Sequence, residues 1–213
     1  MNPIFFSAFL LMLSPLHAQS TEDYAAPEPG SYELPGIRPA PGGEVLDAAG
    51  KPQQLTELTR GRITVLSFIY SRCADPTACP HATGVLRELH EQSTTDPELA
   101  KGLRLLSLSF DPDHDTPERM SAYSAIAGEH AQACEWHFLT TASQAVLAPI
   151  LADYGQAVSR RENPNAPMGP LNHTLRVYLI DAKGVIRNIY SSGTLDPRLV
   201  MADVRTLMME GRQ

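Results

Sequence analysis

Cys73 and Cys79 bracket Ala74-Asp75-Pro76-Thr77-Ala78 in a C-x5-C pattern. Two thiols on one loop can hold a soft metal ion, cycle between dithiol and disulfide, or staple the loop shut. Spacing alone leaves all three roles open. His173, in Asn172-His173-Thr174, is the candidate third ligand. Thiolates favour Cu(I), and an added imidazole lets such a site hold Cu(II) as well. Taken by itself, His173 also reads as an ordinary loop histidine.

The other chemistry-bearing side chains have blander readings. His81 follows the cysteine loop and is read as an exposed helix residue, with an auxiliary-ligand role as the alternative. Met168 could offer a thioether but reads as a loop residue. His114 belongs to a strand-end turn and is assigned to structure. His90, His130 and His137 show no partner pattern, Trp136 suits a core, and Met208 and Met209 fit the apolar side of a last helix. Cys134 reads as a buried structural thiol, with an intermolecular disulfide as the minority view. No phosphate-cradling glycine pattern, G-x-S-x-G or H-E-x-x-H occurs.

The elements that must position the pair alternate between the two periodicities. Residues 62–70 (RITVLSFIY) and 103–110 (LRLLSLSF) read as core strands. A helix opens at Pro80, with Val85, Leu86 and Leu89 on one face. Thr116-Pro117-Glu118 starts a helix over 117–127, and Ser143 caps another reaching Tyr154. Residues 136–139, 174–180 and 185–190 read as strands, 159–170 as a loop, and Asp196-Pro197 opens a last helix to about Met209. Glu44 to Leu55 suggests a hairpin turning at Ala49-Gly50-Lys51-Pro52. Strands alternating with helices predict an α/β domain. The thiols then sit at a strand's C-terminal end and a helix N-terminus, where α/β sheets commonly place reactive sites and where the helix dipole stabilises thiolates. That is the thioredoxin-like arrangement.

The chain has 213 residues, 17 Lys and Arg against 24 Asp and Glu, and a net charge of −7. This acidic balance argues against a sequence-independent nucleic-acid binder. A hydrophobic share of 43 % supports one packed domain, and three cysteines are too few for a disulfide scaffold. Residues 1–18 read as a signal peptide: their apolar run from Ile4 to Leu13 is too short to span a bilayer. Residues 19–42, rich in Pro and Gly, read as a linker or wrapping segment, and 43–213 as the folded domain.

Five stretches together resemble the Sco (Sco/SenC) family of copper chaperones: FIYSRCADPTACP, SFDPDHDTPE, WHFLT, NHTLRVYLIDAKG and the hairpin segment GKPQQLTEL. The resemblance covers about residues 43–209. It implies a thioredoxin-like α/β fold, with a central mixed β-sheet flanked by helices and an N-terminal β-hairpin. It also implies one copper ion per chain, Cu(I) or Cu(II), held by Cys73, Cys79 and His173. The expected role is an exported, periplasmic copper chaperone serving cytochrome oxidase assembly. Its expected partner is a copper-accepting client, an oxidase subunit; membrane contact comes only through that client or an uncleaved signal. The alternative is a thiol–disulfide oxidoreductase using Cys73 and Cys79 on a client's cysteines. The chain departs from the family at three places. Its loop has five residues where C-x3-C is usual and keeps only the second proline, Pro80. Asn172 stands where Asp is usual, and His114 where Arg is common.

Overall fold

The computed structural model describes residues 25–163 and 165–211. The export segment read at 1–18 lies outside them.

Strands β1 (Arg38–Pro39), β4 (Ile63–Ile69), β5 (Leu103–Ser109), β6 (Glu135–Leu139), β9 (Val177–Ile180) and β10 (Val185–Tyr190) form one mixed sheet in the order β1-β10-β9-β4-β5-β6. Strands β4, β5 and β6 run parallel, and β9 pairs antiparallel to β4 on its other side. All seven residues of β4 are buried, as expected of an apolar run at the centre of a sheet covered on both faces.

Alternate side chains along the strands feed two cores. Val65, Leu105, Val177 and Leu179 pack with Val85, Leu86 and Leu89 of α2 (Cys79–Ser93) and with Val200, Val204 and Leu207 of α6 (Pro197–Glu210). On the other face Leu66, Phe68, Leu106 and Tyr178 meet Met120 of α4 (Pro117–Tyr123) and Leu147, Ile150 and Tyr154 of α5 (Gln144–Tyr154). The N-terminal hairpin pairs β2 (Glu44–Leu46) with β3 (Pro52–Gln54) and runs into the short α1 (Leu55–Leu58). This is the expected thioredoxin-like fold.

Several local features differ from the sequence reading, each for a visible reason. Helix α3 (Pro97–Gly102) was not expected; the Asp96 carboxylate caps it, accepting from Glu98 N and Leu99 N. The helix expected over 117–127 ends at Tyr123 and tightens into a 3-10 turn, Ser124–Ala127, stopped at Gly128 with φ +70°. The strand expected over 174–180 begins only at Val177. Thr174 instead gives its carbonyl to Gln156 Nε2 at 2.6 Å, and residues just before it form β8 (Leu171–His173), paired antiparallel with β7 (Val158–Arg160). The loop read over 159–170 is therefore the connection of this ribbon, less its first two residues.

Residues 25–42 of the stretch read as linker or wrapping segment lie against the domain. Leu34 is buried, Tyr32 Oη donates to Asp203, and Ile37 N and Ala40 N bond the backbone of β10 and its turn.

Candidate metal centre

The site starts where β4 ends. Tyr70 is buried and turns the chain; Cys73 N donates to Tyr70 O at 3.2 Å. A buried carboxylate holds this turn from below. Asp115 accepts from Ser71 N at 2.9 Å, from the Ser71 hydroxyl, and from Ser109 Oγ at 2.6 Å. It thereby ties the ends of β4 and β5 together under the cysteine loop. Beside it, Arg72 pairs with the buried Asp111 at 2.6 Å. The segment assigned to structure on sequence grounds thus anchors the loop.

The five intervening residues do not stretch the loop; they fold out of it. Asp75 Oδ1 accepts from both Thr77 N and Thr77 Oγ1, and Ala78 N returns to Asp75 O. This Asx turn brings Cys79 back towards Cys73, with Cys79 as the first residue of α2 and Pro80 the second. The helix start expected at Pro80 lies one residue earlier.

His173 arrives from the other side, at the end of β8. Its Nε2 lies 3.7 Å from Cys73 Sγ and 3.4 Å from Cys79 Sγ. The three ligand atoms all lie within 4.8 Å of one another. First-row metal bonds of about 2.3 Å to sulfur and about 2.0 Å to nitrogen place ligand atoms about 3.6–4.0 Å apart. The spacing therefore fits one ion, and two sulfurs with one imidazole suit a soft cation.

Packing sets the imidazole's direction. Its ring meets Tyr70 edge-on at 5.4 Å and Phe110 at 5.1 Å, while the buried Nδ1 has no hydrogen-bond partner. Ligating histidines are usually oriented by such a partner; here two aromatic rings do that work. Asn172 does not substitute for it, because it is exposed and faces Ser159 across the ribbon. Tyr70 in turn donates to Met168 O at 3.1 Å. Gly169 lets that loop close: it has φ +93°, and a Cβ there would sit 2.3 Å from Tyr70 Oη and 2.7 Å from Arg72 O.

The two thiols differ sharply. A hydrogen bond from Cys79, with another from His173, holds Cys73 down at about 4 against its burial. Cys79 is pushed far up, first by that same bond and then by burial. The metal-free pair therefore carries one thiolate, on the half-exposed Cys73, with the proton on the buried Cys79. Burial and the Cys73 charge push Tyr70 up to about 12.

The structure brings Cys73, Cys79 and His173 together and leaves the other candidates outside. His81 is half-buried, its Nε2 2.9 Å from Leu195 O. Met168 is exposed, His114 contacts Arg119, and His137 contacts Glu135. His90 is buried against His130 and Trp136. Cys134 is buried, its amide bonded to Ser93 Oγ, and burial pushes its thiol up to about 11. Met208 packs on the core, but Met209 is 46 % exposed. Sequence reasoning missed the supporting roles of Tyr70, Phe110, Asp115 and Gly169. The run Ser109-Phe110-Asp111 with Asp115 carried a signal for a clasp, since acids and a hydroxyl cluster there at a strand end.

The family model for SCO1/SenC matches residues 44–209. Among solved structures, the chain is similar to Arabidopsis thaliana ScoI with copper bound, at 17 % identity and a TM-score of 0.66, covering 80 % of this chain and 98 % of that one. It is similar to a SCO1/SenC family lipoprotein from Bacillus anthracis, at 24 % identity and a TM-score of 0.64, covering 86 % and 99 %. It is also similar to BsSco, a Sco family cytochrome c oxidase assembly protein with a disulfide switch, at 20 % identity and a TM-score of 0.64, covering 83 % and 98 %. At these identities the likeness establishes the fold. No curated protein matches the chain in sequence.

Proposed function

The chain belongs to the SCO1/SenC family, and from that premise we propose that it carries one copper ion as cargo on Cys73, Cys79 and His173 and passes it to a cytochrome oxidase subunit during assembly. The observation that carries this reading is the convergence of two sulfurs and Nε2 of His173 within 4.8 Å. Cys73 and Cys79 supply soft ligands, and the rigidly packed His173 supplies a nitrogen that accommodates Cu(II) as well as Cu(I). Three protein ligands leave a side open. Two client thiols lose their protons and bond Cu(I) as its bonds to Cys73 and then Cys79 break; Cys79 takes up one of those protons, the other goes to solvent, Cys73 is left as the thiolate, and no electron moves.

Relatives support the cargo: the Arabidopsis thaliana structure holds copper. Export is part of the proposal and rests on residues 1–18 and on a family that includes a lipoprotein. No helix among the described residues is long and apolar enough to cross a membrane.

The test is Cu(I) loading of the reduced protein, free of residues 1–18, followed by metal analysis. One ion per chain is expected, with Cys73→Ala and Cys79→Ala abolishing it and His173→Ala removing the Cu(II)–thiolate absorption. Unchanged loading in Cys73→Ala refutes the reading.

A second reading is favoured by the unequal thiols. A thiolate on Cys73 beside a protonated Cys79 is the pairing that attacks a client disulfide and then resolves the mixed disulfide. The pair would end oxidised, the client reduced by two electrons, and a further dithiol would reset it. Reductase activity that survives in His173→Ala while copper binding is lost would favour it.

A further inference from the structure

Cys73 and Cys79 also border a cavity that His173 does not line. This cavity of about 370 Å³ runs along the first turns of α2, with Cys73 and Cys79 at one end and Arg87 two turns on. Tyr123 and Ile126 also line it. Tyr123 is held by a 3.0 Å hydrogen bond with Thr83, and Ile126 is 41 % exposed.

Gly84 lies midway. Glycine inside a helix destabilises it relative to alanine, and nothing in the fold requires it here. Its φ is not positive, and a Cβ would meet nothing within 4 Å. What glycine does at this position is leave the helix backbone bare between the sulfurs and Arg87. Arg87 is 55 % exposed, and its one ion pair among the described residues is with Glu91 at 3.8 Å, a long surface pair that a competing carboxylate displaces at little cost.

We propose that this groove seats an extended, thiol-bearing segment of the copper-accepting client, with a carboxylate about three residues from its cysteine meeting Arg87. The spacing follows from the helix: Arg87 stands about 12 Å from Cys79 along α2, less the reach of its own side chain, and an extended chain covers about 3.3 Å per residue. This inference rests on the copper-carrier reading above. The exchange is the one already given, Cu(I) keeping its charge while one client proton passes to Cys79 and the other to solvent.

The experiment follows Cu(I) transfer from the loaded protein to a dicysteine peptide carrying Asp three residues from one cysteine, and to its Asn counterpart, with glutathione as a third acceptor. The wild type is expected to favour the Asp peptide about fivefold, and Arg87→Gln to erase that preference. Gly84→Leu fills the groove without touching a ligand. It is expected to slow transfer to both peptides about tenfold, with copper content and thermal midpoint not lowered. A wild type that takes up no copper overturns the carrier reading itself. A loaded Gly84→Leu protein that transfers at the wild-type rate overturns the groove alone. So does a variant slowed towards glutathione and not towards the peptides, since the groove then serves a small thiol.

Discussion

Removing the carboxylate of Asp115 tests whether the cysteine loop is tethered from below. Asp115 is fully buried. One oxygen accepts from Ser71 N and Ser109 Oγ, and the other from the Ser71 hydroxyl. In Asp115→Ala the Ser109 hydroxyl, itself buried, and Ser71 N lose their acceptor. Each orphaned donor costs about 1–3 kcal/mol, so a loss of about 3 kcal/mol is expected, out of a typical total of about 5–15 kcal/mol. Asp115→Asn keeps the shape but surrenders charge assistance, and should cost about 1–2 kcal/mol. Guanidinium unfolding of both variants measures this. The functional consequence is read by competition with a chromophoric Cu(I) chelator: the folded Asp115→Asn protein should bind about tenfold more weakly, a change of about 1.4 kcal/mol. Stability of Asp115→Ala within about 0.5 kcal/mol of wild type would refute the energetic argument. Wild-type copper affinity in a destabilised Asp115→Asn protein would refute the tether.

Three further outcomes follow from the same geometry. Gly169→Ala places a Cβ against Tyr70 Oη and Arg72 O at φ +93°, so a thermal melt should show a loss of about 2–3 kcal/mol; a melt like that of the wild type would mean the loop yields freely. In the metal-free, reduced protein, iodoacetamide should modify Cys73 ahead of the buried Cys79. Because Cys73 is lowered from 9.0 to about 4, its thiolate helps the folded state above pH 9, that contribution falls away as pH drops towards 4, and alkylation should hold level from pH 8 to about 5 before declining, as mass spectrometry would show. Gly84→Ala should raise the unfolding free energy by about 0.5–1 kcal/mol, since the helix gains and no neighbour objects.

Much of the scaffold was legible because it depends on neighbours in sequence. The β-branched run of β4, the 3.6-residue spacing of Val85, Leu86 and Leu89, and the Asp-Pro start of α6 each state a local preference that the tertiary fold does not oppose. A cysteine pair between a core strand and a helix was visible for the same reason, as was its family resemblance. Even the missed α3 was announced by Asp96-Pro97-Glu98.

The site itself needed the third dimension. His173 follows Cys79 by 94 residues, and no periodicity links them. They meet because β9 lies beside β4 in the sheet, and because the ribbon of β7 and β8 ends just short of that strand and points the imidazole between Tyr70 and Phe110. The same holds for the lengthened loop. Five residues between cysteines say nothing about how far apart the sulfurs lie, until the Asp75 turn folds the excess outward and the Asp115 clasp fixes its base. Composition and pattern determined which side chains could do the chemistry. Long-range strand pairing and buried hydrogen bonds, whose energies belong to residues distant in sequence, decided that three of them share one point in space.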